Sequence, residues 1–331
     1  MLSLVLPLAA AVSDLEPRDN LLNNPESVVY DISCCRYLVS NWGDGNIVAI
    51  DTLGNQTYFN AEMDQAAGLH ILNGILYATS TEGSLTGIVG FDLASGIRIC
   101  RIDIPEKRLL NDITSDGSDH LFVTDCDAGR IYTINLNDMT SGVLVDEGLG
   151  YPNGILFDED SNSLWVLNGE LPGGPLLAVS LEDTSLSVIV ETGLTAIDGL
   201  SVDSYGVTYF SSWTTDKVYR YDSLFTNPPE IVSDGHINPA DIYFNTSNDI
   251  LAVPNFHGNS LDLVPLDPMS SIPDAEIVSI EPNIRIYPNP FRCVTRMKVS
   301  IPSGVPDGNL TIYSLDVRLL RSFPDSGESS S

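Results

Sequence analysis

Positive charge is scarce in this chain. Its 331 residues include 15 Lys and Arg against 45 Asp and Glu, a net charge of −30. Such a surface repels phosphate backbones and anionic headgroups, so nucleic acid is not an expected partner. Cysteine is also scarce. Cys34, Cys35, Cys100, Cys126 and Cys293 are odd in number and form no CxxC pair, and the adjacent Cys34 and Cys35 cannot easily bond to each other. Neither a disulfide framework nor a cysteine-rich metal cage follows. Four histidines support no Ser-His-Asp spacing, and no glycine loop of the phosphate-cradling kind is present. Helical periodicity is missing, as is any apolar run long enough to cross a bilayer. The first residues, Met1 to Ala11, have the length of a secretory apolar core, and Ala11-Val12-Ser13 resembles a cleavage site. Residues 1–13 therefore read as a partial signal peptide without its positive leader. An exported protein is expected, whether extracellular, at the cell surface or periplasmic.

A repeat fills most of the rest. Glu26, Ala67, Asn111, Asn153, Asp198 and Ala240 each stand at the head of a short apolar strand, 41 to 45 residues apart. A second run rich in Val, Ile, Tyr and Phe follows each head strand, as in Tyr37–Ser40, Leu121–Thr124 and Val207–Phe210, and then a third. Four antiparallel strands per period of this length predict an all-β, six-bladed β-propeller over residues 22–267. Most aromatics then belong to the core, Trp165 among them, whereas Trp42 and Trp213 follow second strands and fall near the channel mouth. How the ring closes is open at this level, with residues near 262–283 as one source of an outer strand.

In a propeller the first strands line the central channel, so their heads converge. Glu26 and Asp198 bring two carboxylates there, and Asn111 and Asn153 two neutral carbonyl oxygens, a donor set for a hard divalent cation. Ca²⁺ suits it first, with Mg²⁺, Mn²⁺ and Zn²⁺ as further candidates. Turn chemistry alone would account for any one Asn-Gly or Asp-Gly. It accounts neither for Glu26 nor for alanine at the same place on two blades. A cation open on one side polarises an ester carbonyl, and Asp198 is the candidate catalytic carboxylate. His70, on the second inner strand, and His257, on a sixth-blade loop, join Trp42 and Trp213 as candidate substrate contacts; His120 and His236 read as surface or turn residues. Asp31, Asp116, Asp158 and Asp203, at the far corners, read as turn formers.

Pro25-Glu26, Leu110-Asn111-Asp112, Tyr151-Pro152-Asn153-Gly154 and Ile197-Asp198-Gly199 resemble the ligand segments of the regucalcin/gluconolactonase family, the senescence-marker-protein type of six-bladed propeller. The resemblance implies a metal held by a Glu, two Asn and an Asp, and hydrolysis of a lactone. Two departures bear on the substrate. Glu26-Ser27-Val28-Val29-Tyr30 replaces Glu-Gly-Pro-x-Trp, and Leu109-Leu110-Asn111 lacks the sugar-gripping arginine of Arg-x-Asn, with Arg108 one residue too early.

A linker composition over 268–283 precedes Tyr287-Pro288-Asn289-Pro290-Phe291 and further alternating runs. Residues 284–322 resemble the immunoglobulin-like C-terminal sorting module of the Por (type IX) secretion route. The resemblance implies a small, incomplete β module that engages secretion machinery, and residues 323–331 read as a disordered tail. The expectation is thus an exported, metal-dependent hydrolase of a lactone or small ester. The alternative is a non-catalytic, NHL-like propeller that binds a glycan, peptide or small ligand, its cation structural or absent.

Overall fold

Runs of Val, Ile, Tyr and Phe, each bounded by turn residues, form strands because branched and aromatic side chains pack well on a pleated surface. The computed structural model describes residues 20–170 and 173–266, and beyond them the backbone of four short strands. Five blades are four-stranded antiparallel sheets in simple sequential order, and the sixth shows three strands among the described residues. The innermost strands are Pro25–Asp31, Gln65–Leu72, Leu110–Ser115, Pro152–Asp158, Ile197–Val202 and Tyr243–Asn245. Each touches the innermost strands of both neighbours, and the sixth meets the first, closing a six-bladed propeller.

Period-two alternation explains why the strands read as continuous apolar runs. On one blade Leu38, Ile47 and Ala49 face the second blade, while Tyr37, Val39, Val48 and Ile50 face the sixth. Both faces of a sheet are therefore buried, and six clusters of this kind fill the spaces between neighbouring blades. Trp165 lies in one of them, edge-on to Phe225 at 5.7 Å.

The seam between the sixth and first blades is held from an unexpected side. Leu21 and Leu22 pack with Val28, Val39 and Leu261, so the segment before Glu26, though short, contributes to closure. The Asn24 amide donates to Asn259 Oδ1 at 2.7 Å and its side chain to the Phe256 carbonyl at 3.1 Å. The Asp241 amide donates to the Glu26 carbonyl at 2.9 Å.

The far-corner aspartates close turns. Asp31 accepts from Ser33 and Cys34, Asp116 from Ser118 and His120, Asp158 from Ser161, and Asp203 from Tyr205 and Val207. The four described cysteines, Cys34, Cys35, Cys100 and Cys126, are free thiols. The chain divides into two units at residues 271 and 272. In the second, Asn283–Tyr287 pairs antiparallel with Arg296–Ser300, and Leu310–Tyr313 with Leu319–Phe323. Residues 1–13, the rest of the 268–283 segment, Cys293 and residues 324–331 lie outside the described residues. No helix among the described residues is long and apolar enough to cross a membrane.

Candidate functional site

The six heads were expected just before their strands. In five blades they lie inside them, at a β-bulge. Pro25 pairs with Asn41 and the next pair is Val28 with Val39, so Glu26 and Ser27 face the single residue Ser40. The same two-against-one count sets Ala67-Gly68 against Thr79, Asn111-Asp112 against Thr124, Asn153-Gly154 against Leu167, and Asp198-Gly199 against Ser211. A bulge leaves an amide without a ladder partner, and a hydroxyl opposite it takes that amide. Ser40, Thr124 and Ser211 accept from Ser27, Asp112 and Gly199 at 2.9, 3.0 and 2.8 Å. Thr79, Thr124 and Ser211 then donate to the carbonyls of Asn111, Asn153 and Ala240 on the next blade, at 2.9, 2.9 and 2.7 Å. These hydroxyls fix the height at which Asn111, Asn153 and Ala240 enter the channel.

The second residue of each bulge belongs to the ring's waist. Gly68, Gly154 and Gly199 are required by space, since a Cβ on Gly199 would lie 2.3 Å from the Ile242 nitrogen, and on Gly68 or Gly154 2.5 Å from a neighbouring carbonyl oxygen. Ser27 and Asp112 instead bond across blades, as does Asp241, which follows the sixth head. Asp112 accepts the amides of Ile113 and Ile155 at 2.7 and 2.8 Å, and Ser27 donates to Asp241 at 2.6 Å while accepting from Leu69.

Above the waist, Glu26, Asn111, Asn153 and Asp198 line one cavity of about 310 Å³. All four are buried, yet Glu26 Oε2, Asn111 Oδ1 and Asp198 Oδ1 have no hydrogen-bond partner. Burial pushes both carboxyls up, and repulsion by neighbouring carboxyls adds to it. Glu26 lies well above the usual carboxylate range, raised by burial and then by Asp198, Asp241 and Asp112. Asp198 is pushed up to about 8 by burial and Asp241, against the opposing pull of Trp213 and Asn153.

The second strands supply the wall. Asn41, Asp125, Asn168 and Asn255 end them, and their side chains accept amides from the loop before the head of the same blade, at 2.7 to 3.1 Å. The next residue in each case, together with Trp213, returns its amide to the carbonyl two residues before the head or at the equivalent place. This clamp places Trp42, Gly169, Trp213 and Phe256 around the cavity. Cys126 holds the same position on the third blade, where its buried thiol donates to the Pro152 carbonyl at 2.9 Å. Ala196, two residues before Asp198, has a φ of 48°, a left-handed conformation that costs a non-glycine residue about 1–2 kcal/mol.

Trp42 and Trp213 thus stand in the wall beside the four heads. His70 does not. It lies three residues past its head, about 10 Å along an extended strand, and lines a separate cavity of about 270 Å³ with Asp112 and Asp241. There its Nε2 bonds Ser115 Oγ at 2.8 Å, and burial lowers its pKa to about 4. His257 is exposed, bonded to Asn238 at 2.8 Å, and packs edge-on behind Trp213 and Phe256 rather than on the cavity surface. His236 is buried between Asp262 and Ser233, not on the surface as expected. Sequence reasoning missed Leu109, Tyr151 and Phe256 in the wall. The signal for them was positional: two residues before a head, or one after the end of a second strand. It also missed that Asp116, Asp119 and His120 bring metal-ligand atoms within 4.8 Å of one another at a half-buried corner of the third blade, where an acidic ion site is possible.

No protein-family model matches the chain, and no curated protein does. Solved structures show the fold. The protein XC5397 from Xanthomonas campestris, described as a gluconolactonase important in glucose secondary metabolic pathways, aligns with a TM-score of 0.61 at 18% identity over 75% of this chain and 88% of that one. A Bacteroides thetaiotaomicron protein of unknown function gives 0.61 at 11% identity over 72% and 68%. A chain of the nidogen/laminin complex gives 0.57 at 15% identity over 70% and 93%. The chain is therefore similar in fold to a gluconolactonase.

Proposed function

We propose that the protein is an exported hydrolase of a lactone or related small ester that depends on a divalent cation held by Glu26, Asn111, Asn153 and Asp198. One observation carries this reading: three buried oxygens from three different blades face one cavity with nothing to bond. A buried polar atom left unpaired costs about 1–3 kcal/mol, and two carboxyls raised by burial and by neighbouring acidic groups gain most from a cation between them. The donor set fits a hard ion such as Ca²⁺. When bound, the ion supplies a Lewis acid for an ester carbonyl.

The chain's own residues do the rest. Asn111 and Asn153 are pinned at their carbonyls by Thr79 and Thr124, so their side chains enter the channel at fixed height. Trp42, Trp213 and Phe256 exclude water from one side of the cavity. Asp198, buried beside that site, is placed to take a proton from an attacking water as the carbonyl carbon is attacked and to return it to the alcohol oxygen as the ester C–O bond breaks. The fold likeness to a gluconolactonase supports this chemistry, and the sorting-type segment at 284–322 supports delivery by secretion machinery.

Calorimetry of the full chain with Ca²⁺ and Mn²⁺, followed by a panel of lactones with and without chelator, tests the reading. Cation binding and chelator-sensitive turnover are expected. Turnover indifferent to chelator, or no cation binding, would overturn it. The likeness to a chain of the nidogen/laminin complex favours the rival, a propeller that binds without catalysis, and ligand binding with no turnover would establish that instead.

A further inference from the structure

We propose that the substrate is an uncharged lactone or ester bearing an apolar substituent, and not a polyhydroxylated sugar-acid lactone. This deepens the hydrolase reading and rests on it for the word substrate. Apart from the four heads, the cavity is walled by Trp42, Leu109, Tyr151, Ile197, Trp213 and Phe256. Among the described residues no Lys, Arg or His lines it, and its one further acid is the exposed Glu170. A sugar-acid lactone carries several hydroxyls, each of which loses water on entry and needs a partner. Beyond the heads, this wall offers chiefly the Tyr151 phenol and the Trp213 indole N–H. Burial and nearby Cys126 and Asp127 raise the phenol's pKa, so it stays neutral.

Trp213 Nε1 is itself buried beside Asp198, whose carboxyl it helps to hold down, and makes no hydrogen bond of ordinary geometry. That is a donor for one carbonyl oxygen. The rest of the ring is a flat apolar face, supported from behind. Its centroid is 5.0 Å from that of Phe256, and the His257 ring stands edge-on to both, at 5.7 and 5.1 Å. A ring or alkyl chain laid against such a face gains by burying area, in proportion to its length. Charge points the same way. Hydrolysis adds water across the ester bond and yields a carboxylate, which Glu170 at the cavity edge repels, so an acidic product leaves and an acidic substrate is refused.

The test uses the full chain loaded with Ca²⁺, unbranched γ-lactones from γ-valerolactone to γ-undecalactone, and glucono-δ-lactone. Binding is read on mixing from quenching of tryptophan fluorescence, and turnover separately. Each added methylene is expected to tighten binding about threefold until the cavity is filled, with glucono-δ-lactone weaker than the longest member by at least about 30-fold. Trp213→Ala and Phe256→Ala should each flatten the series. A flat series in the unaltered protein, or a sugar lactone bound as tightly as γ-undecalactone, would overturn the inference. The two failures are distinguishable: turnover with a flat series leaves the hydrolase and removes the apolar substrate, whereas graded binding without turnover removes the hydrolase and leaves the ligand class.

Discussion

Neighbouring residues at the blade heads have opposite fates. At the mouth, Glu26, Asn111 and Asp198 present buried oxygens that nothing in the protein satisfies. At the waist, Ser27, Asp112 and Asp241, each next in sequence to a head, bond to backbone or to one another. Both levels are buried and acidic, so burial and charge do not separate binding groups from structural ones. Hydrogen-bond partnership does. A polar side chain that holds the ring together has its lone pairs filled by the ring, and one that serves a ligand keeps them open.

The largest expected effect breaks the mouth alone. Asp198→Ala should weaken cation binding by about 100-fold or more, beyond the loss of a mere supporting group, while the metal-free protein melts no lower, because a repelled carboxyl has been removed. Calorimetry and a thermal scan check both halves. Asp112→Ala should do the reverse. It strands two buried amides at about 1–3 kcal/mol each, which denaturant unfolding will show as a loss of about 2–6 kcal/mol, with the four head side chains untouched.

A third measurement sharpens the contrast through pH. Asp198 and Asp241 are raised to about 8 and about 7 in the folded protein, from a usual value near 4. The folded state then holds protons that the unfolded chain releases. Their contribution to stability is full below the unfolded value and lost as pH rises through 7 to 8. The metal-free melting temperature should fall from about pH 4 and level off above about pH 8, and saturating Ca²⁺ should remove the part of the fall that Asp198 contributes. The smallest effect is that of His70→Ala, which removes one hydrogen bond to Ser115 at about 1 kcal/mol and should leave cation affinity unchanged.

The repeat and its heads were legible because Asn153-Gly154 and Asp198-Gly199 recur at one period and because Glu26 has no turn preference. The bulges were not. Alternation assigns residues to two faces of a sheet, and a bulge inserts an extra residue that no pattern of apolar side chains announces. Hence Asp112 and Asp241 were given no role of their own, and His70 was placed at the wrong end of the channel by counting along a strand without its length in ångströms. The hydroxyls of Ser40, Thr79, Thr124 and Ser211 stood in plain view at the centres of second strands. Their role shows only when the opposing bulge amide is found. The wall residues Leu109, Tyr151 and Phe256 come from loops that are ordered by side-chain clamps, which periodicity does not report.

The seam has a further consequence. Asn24 joins the Asn259 side chain and the Phe256 carbonyl two residues ahead of Glu26, so the first and last blades meet beside the binding chamber. An occupant that spans Glu26 and Phe256 acts as a clasp on a bracelet. Loading the chamber then slows the unzipping of the whole circle, and durability against heat or proteases becomes a gauge of occupancy.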